Sequence, residues 1–397
     1  MNILCVTNLF PDRSRPGFAP FNRQQLIYLS ALHNIHVISP VPWPHMLKLA
    51  LKGQRPIPLE ECSGMEVDYP VFYYTPKMMR DMYWRFYYNS IKSVFARTVR
   101  RFKPDIIYAT WAYPDSRAAV ELAAEYGLPV ACRIHGSDIN EYIRFPGRKH
   151  RILDAMVKAD SIISVNEDLA GRLRYEDIEP GKIHVVYNGI DRSIFKPMDR
   201  SECREDLGLD KEKKIILFAG NLKPVKGIDV LLEALEKIEM IDWQLHILGS
   251  GPEKDHLERI ASRPPLSGNV FFHGSVLHHD IVKWFNASNV FCLPSLHEGT
   301  PNVILESLAC GIPVVCSDTG GIPEIVTGDS GILFEVGNSR ALSESLIEGF
   351  TREWDRSSID CPAETWTKNA QRMTDVFRIT IHAFERNVSG THHAHSS

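Results

Sequence analysis

Glu298 and Glu306, two carboxylates with seven residues between them, lie in the run Leu296-His297-Glu298-Gly299-Thr300-Pro301-Asn302-Val303-Ile304-Leu305-Glu306. The run follows an apolar, strand-like segment, Val290-Phe291-Cys292-Leu293-Pro294. Thr300 suits an N-cap and Pro301 the first helical position, so the spacing predicts a strand, a tight loop and then a helix. Glu298 would sit in the loop and Glu306 on the helix face. The first backbone N–H groups of a helix have no partner inside it and point at an anion. A carboxylate beside such an anion site, with a second one farther along, suits a diphosphate flanked by hydroxyl-rich groups. That is the chemistry of a nucleotide sugar.

Other strand ends carry polar residues. Gly220-Asn221-Leu222-Lys223-Pro224-Val225-Lys226-Gly227 follows one apolar run and opens a helix. It is no Walker A loop, but Lys226 could meet a phosphate as a point charge; the alternative is a plain turn with a solvated lysine. Gly249-Ser250-Gly251-Pro252 lacks the third glycine of a dinucleotide fingerprint and reads as a turn, with backbone able to pass close to a base. His135-Gly136-Ser137-Asp138 places a histidine at a strand's carboxyl end, where it either binds a sugar hydroxyl or phosphate or is a satisfied structural group. Trp111-Ala112-Tyr113-Pro114-Asp115 offers aromatics that shape an acceptor site or simply pack. Gly17, after the first strand, would let backbone approach a phosphate. Gly320-Gly321-Ile322-Pro323-Glu324 gives exposed amides or a plain turn. No Asp-x-Asp triplet, His-Glu-x-x-His or paired Cys/His zinc spacing occurs, so no metal site is expected. Diphosphate charge would fall to backbone amides, helix ends and Lys226.

Positioning these groups takes a regular scaffold. Short apolar runs alternate with helix-like segments twice along the 397 residues. Strands are expected at residues 3–7, 36–39, 105–109, 129–134, 161–165 and 184–187, then at 214–219, 244–248, 270–273, 290–293, 313–316 and 331–334. Helices are expected at 22–32, 115–125 and 150–158, then at 227–238, 253–260, 280–285, 302–309 and 339–350. Such alternation means parallel sheets covered on both faces, here in two Rossmann-like domains. Ligands of open α/β sheets bind beyond the carboxyl ends of strands, so the cleft between two facing sheets is the expected site. The expected division is an acceptor domain over 1–195, a donor domain over 196–360, a helix over 361–386 crossing back to the first domain, and a disordered tail over 387–397.

Hydrophobic residues make up 44%, charged residues 24%, and the net charge is −4, a soluble composition without the basic excess of a nucleic-acid binder. The eight cysteines form no Cys-x-x-Cys pair, which reads as a reduced cytoplasmic chain. No secretory leader or membrane-spanning stretch is expected. Residues 77–103 differ: Lys77, Arg80, Arg85, Lys92, Arg97, Arg100, Arg101 and Lys103 are opposed only by Asp81 and are interleaved with Tyr83, Trp84, Phe86, Tyr87, Tyr88 and Phe95. This segment suits an anionic membrane surface, with Trp43 to Lys52 adding to it, or is a helix covering the first sheet.

The chain resembles the family 4 glycosyltransferases of the GT-B fold along nearly its whole length. The resemblance rests on the Glu-x7-Glu pair, Glu298 and Glu306, with Lys226-Gly227, Gly249-Ser250-Gly251-Pro252, Asn188-Gly189-Ile190-Asp191, His135-Gly136 and Gly320-Gly321-Ile322-Pro323-Glu324. It implies a retaining, metal-independent transfer from a UDP- or GDP-linked sugar to a glycan or lipid-linked acceptor in cell-surface polysaccharide synthesis, with no cofactor. By the same resemblance Glu298, Lys226 and His135 are the catalytic group. Glu306 holds ribose hydroxyls, and Thr300, Pro301, Asn302 and Val303 lie beside the diphosphate. Gly17, Asn221 and Gly249 complete the donor site, while Trp111 and Asp138 stand on the acceptor side. Many relatives carry arginine where this chain has Asn221, a loss that Lys223 would offset. The expected location is the cytoplasm, peripheral at the inner face of the membrane. Alternatives are a nucleotide-sugar epimerase of the same architecture and a non-catalytic sugar-nucleotide-binding subunit.

Overall fold

The computed structural model describes residues 1–239 and 241–394, with side chains through residue 389. Two compact units emerge: Met1–Gly189 together with the segment from Trp366 onward, and Ile190–Thr365. The chain thus changes unit at Gly189/Ile190 and at Thr365/Trp366, several residues from the positions read off composition. Local contacts explain both shifts. In the first unit a Cβ on Gly189 would lie 2.7 Å from the Trp366 Cα. In the second, Ile190 forms a parallel bridge with Thr365 and its N–H donates to the Glu364 carbonyl at 2.9 Å.

Among the described residues, nine strands belong to the first unit: β1 (Asn2–Val6), β2 (Asn34–Ile38), β3 (Val41–Pro42), β4 (Glu66–Asp68), β5 (Val71–Phe72), β6 (Ile106–Ala109), β7 (Val130–Ile134), β8 (Ser161–Ser164) and β9 (Ile183–Val185). Seven form a parallel sheet in the order β4-β2-β1-β6-β7-β8-β9, and β3 pairs with β5 beside it. The central strands are buried end to end, as a sheet covered on both faces requires. The short strands β3, β4 and β5 were not legible, because two or three residues carry no alternation.

The segment 77–103 is corrected over its helical part. Its helix Tyr83–Phe102 buries Trp84, Tyr87, Ile91 and Phe95 against the first core. Several of its cations face carboxylates: Arg97 with Asp68, Arg101 with Glu66, Lys92 with Glu125. The aromatics therefore belong to the fold and not to a lipid surface. The last helix runs Trp366–Ala394, so residues 387–394 continue a helix where a disordered tail was expected; residues 395–397 lie outside the described residues. It docks within the first unit. Phe377 meets Tyr108 edge-on at 5.2 Å, and Gln25 donates to Asn369 at 3.0 Å.

The second unit holds β10 (Lys214–Ala219), β11 (Trp243–Leu248), β12 (Val270–Gly274), β13 (Val290–Leu293), β14 (Val314–Ser317) and β15 (Gly331–Phe334). They form one parallel sheet in the order β12-β11-β10-β13-β14-β15. The order reverses at β10, which pairs with both β11 and β13. Among the described residues, no helix is long and apolar enough to cross a membrane.

Candidate functional site

At the carboxyl edge of the second sheet the loops fit with little clearance. Gly249 has φ +147°, and a Cβ there would lie 1.8 Å from the Gly220 carbonyl oxygen, so the loops after β10 and β11 touch only because position 249 is glycine. Gly227 has φ +62°, and its Cβ would lie 2.1 Å from the Pro294 carbonyl oxygen, which brings the turn Pro224–Lys226 against the end of β13. The Leu296 N–H donates to the Val225 carbonyl at 2.8 Å, and the Gly321 N–H to the Gly299 carbonyl at 3.0 Å.

These contacts deliver Lys226 to Glu298. The ammonium Nζ stands 2.5 Å from Glu298 Oε1, and Ser295 Oγ donates to the same oxygen at 2.7 Å. The two side chains are only 20% and 11% exposed, so solvent screens the pair weakly. The helix after this loop is Asn302–Ala309, with Pro301 extended at the N-cap position (φ −75°, ψ 115°). The expected cap is therefore displaced by one residue. Pro301 takes the capping place with no side-chain cap bond, Thr300 lies buried before it, and Asn302 opens the helix. Val303 packs partly on the second core.

Glu306 is almost fully buried and its Oε1 lies 2.9 Å from His278 Nε2. The His278 ring sits edge-on to Phe195 at 5.1 Å. His278 and Ser295 escaped the sequence reading. His278 lies in the polar run His278-His279-Asp280, which resembles an ordinary helix start. Asn221 and Lys223 are both exposed at the mouth of the β10 loop.

The first unit carries its own cluster at the ends of β6 and β7. His135 is clasped between Phe21 at 4.7 Å and Trp111 at 5.9 Å, the latter nearly parallel. Burial, helped by the nearby Arg133 guanidinium, holds its pKa well below the usual imidazole range, and an interaction with the Thr110 backbone opposes this only in part. Its Nε2 is shielded from water and has no hydrogen-bond partner among the described residues. Asp138 is fully buried and accepts from the backbone N–H groups of Ala112 (3.0 Å), His135 (3.0 Å) and Gly136 (2.8 Å). Burial raises its pKa to about 6 against those bonds. Both its oxygens are engaged inside the fold, so it positions Trp111 and His135 and does not face a ligand, as the acceptor-side reading had it. A second buried carboxylate, Asp115, accepts from the Asn8 N–H at 2.7 Å, and burial drives its pKa well above the ordinary value. Gly17 is exposed, and a Cβ there would meet nothing within 4 Å, so this backbone has no need of glycine at that position.

Among the described residues no group of three or more His, Cys, Asp or Glu side chains could hold a metal ion.

The family model "Glycosyl transferases group 1" matches residues 199–372, and the model "Glycosyltransferase Family 4" matches residues 60–194. TuaC of Bacillus subtilis (strain 168), whose assigned name is a teichuronic acid biosynthesis glycosyltransferase, is 28% identical over 87% of this chain and 88% of its own. Sucrose-phosphate synthase from Thermosynechococcus elongatus superposes with a TM-score of 0.76 at 18% identity over 99% of both chains. Anabaena HepE in complex with UDP-glucose does so at 0.67 and 19% identity, over 98% of this chain and 100% of its own. With both family models matched along its length and these likenesses beside them, the chain belongs to glycosyltransferase family 4 and is an enzyme of the GT-B fold.

Proposed function

We propose that the enzyme moves a sugar from a UDP- or GDP-linked donor to a hydroxyl of a glycan or lipid-linked acceptor, with retention at the anomeric carbon and without a metal ion. The observation that carries this reading is the Lys226–Glu298 pair, 2.5 Å apart, with Glu298 on the loop that leads into the helix bearing Glu306 and Lys226 on the turn after β10. Glu306 accepts from the ribose hydroxyls and Glu298 from hydroxyls of the donor sugar. The backbone of residues 300–303 and the Lys226 ammonium receive the diphosphate. The bond from the anomeric carbon to the diphosphate oxygen breaks, the acceptor oxygen bonds to that carbon on the same face, and the acceptor proton leaves on the diphosphate. Lys226 exchanges its carboxylate partner for the growing negative charge, so its electrostatic help is larger in the transition state than before it.

His135, neutral and with its shielded Nε2 unpartnered among the described residues, accepts from a sugar hydroxyl once the side chains around it shift to uncover that nitrogen, and Trp111 shapes the acceptor side. The UDP-glucose complex of HepE supports a nucleotide-sugar donor, and the name of TuaC supports a role in cell-surface polysaccharide synthesis. A cytoplasmic location is favoured by eight cysteines that are all free and buried.

Donor hydrolysis and transfer by Glu306→Ala and Lys226→Ala proteins test the reading. Unchanged rates in both overturn it, and an epimerised nucleotide sugar formed from donor alone replaces it with isomerisation. A thermal-shift screen against UDP-, GDP- and ADP-sugars identifies the donor.

A further inference from the structure

The cations of the first unit include two contrasting sets, while Arg85 and Arg100 on the helix Tyr83–Phe102 are exposed and have no carboxylate within 4 Å among the described residues. On the helix Tyr83–Phe102, Lys92, Arg97 and Arg101 face carboxylates. Lys48, Lys52, Arg55, Lys77 and Arg80 are all exposed, and among the described residues none has a carboxylate within 4 Å. Sequence and fold together explain the second set. Residues 40–59 and 69–80 contain no Asp or Glu at all, in a chain whose net charge is −4. The fold lays these two acid-free stretches side by side. Val41–Pro42 pairs with Val71–Phe72 in parallel, and Trp43 Nε1 donates to the Tyr74 carbonyl at 2.9 Å. The helix Trp43–Leu51 starts there, and the Thr75–Met78 turn follows directly on Tyr74.

The same surface exposes large apolar side chains. Leu47 is 52% and Leu51 80% exposed, four residues apart on one face of the helix, and Tyr73, Met78 and Met79 are 56–67% exposed on the neighbouring stretch. Of that helix only Leu49 is buried, so the rest of its apolar content does not serve the core. Large apolar residues held in solvent among unpaired cations have one natural complement. A bilayer of anionic lipid takes the leucines and methionines at its acyl boundary and the ammonium and guanidinium groups at its phosphates.

We propose that the helix Trp43–Leu51 and the turn after Tyr74 form a docking surface for an anionic lipid bilayer. It keeps Trp43 to Lys52 and residues 77–80 from the surface expected on the sequence and drops the helix Tyr83–Phe102, whose aromatics pack on the core and several of whose cations are paired. It does not depend on the identity of the donor or acceptor.

The test is flotation of the full chain with phosphatidylglycerol–phosphatidylcholine vesicles and with phosphatidylcholine vesicles alone. Binding is expected only with the anionic lipid and is expected to weaken as salt is raised. Each surface cation contributes about fivefold, so K48Q/K52Q weakens binding about 25-fold and K48Q/K52Q/K77Q/R80Q by on the order of several hundredfold. L47S/L51S also releases the protein, whereas R97Q/R101Q floats like the parent. Retained thermal stability and retained donor hydrolysis without vesicles show that each variant is folded, and they separate a failure here from a failure of the sugar-transfer reading. Equal binding to both vesicle types overturns the proposal, as does loss of binding in R97Q/R101Q with the quadruple variant unaffected. Absent vesicle binding together with a self-association that L47S/L51S abolishes overturns it in favour of a second copy of this chain.

Discussion

Lys226 Nζ lies 2.5 Å from Glu298 Oε1 although 72 residues separate them, because β10 and β13 are neighbours in the sheet and their carboxyl ends share one edge. The strands between them in sequence, β11 and β12, lie on the other side of β10. An anion arriving at this edge meets a cation already aimed and already largely removed from water.

Replacing that cation removes preorganised charge from the leaving group. Lys226→Ala is expected to lower kcat for sugar transfer by about 10²–10³-fold, the range for loss of one electrostatic stabiliser. Steady-state kinetics with the donor varied measure it. A kcat within threefold or so of wild type would remove Lys226 from the chemistry.

Glu306 is a binding group in the same scheme. Glu306→Gln is expected to weaken the nucleotide by about 1.5–3 kcal/mol, the scale of hydrogen bonds to a charged acceptor. Titration calorimetry with the free nucleoside diphosphate reads this directly. His278→Ala, which takes away the residue 2.9 Å from Glu306, should change donor KM more than kcat.

Two glycines of the expected donor site separate on stability. Gly249→Ala forces a Cβ to 1.8 Å from backbone oxygen at φ +147°, and should cost about 3 kcal/mol or more from overpacking and strain. Gly17→Ala meets open space and should change stability by no more than about 0.5 kcal/mol. Thermal melts of the two proteins decide it; equal melting temperatures contradict the loop packing described here.

His246 gives the fold a pH dependence. It is buried, its Nδ1 lies 2.9 Å from His273 Nε2, and burial, then the charge of His273 and Arg204, lowers its pKa to about 4. Above pH 6.5 the ring is neutral in both folded and unfolded chains and contributes no slope. As pH falls from 6.5 toward 4, the unfolded chain takes up a proton that the folded one refuses, so stability declines. A shift of this size corresponds to ~2–3 kcal/mol lost by pH 4.5. His246→Phe should lose less than wild type between pH 7 and pH 4.5 in urea titrations; identical losses would show that the ring does not carry the effect.

The amino-acid sequence by itself determined the alternation of strands and helices, the two parallel sheets and the loops at which chemistry could occur. Burial on both faces leaves continuous apolar runs such as Ile106–Ala109 and Val290–Leu293, and periodicity is a local property that a single chain displays. Tertiary structure alone decided the partners. Strand order, which no local pattern encodes, set Lys226 on Glu298, His278 on Glu306 and Trp111 against His135. It also turned Asp138 inward onto three backbone N–H groups and set carboxylates against Lys92, Arg97 and Arg101 but not against the cations beside Trp43–Leu51. Charge and side-chain type are written in the chain, but whether a charge finds its opposite depends on which distant segments the sheet makes neighbours.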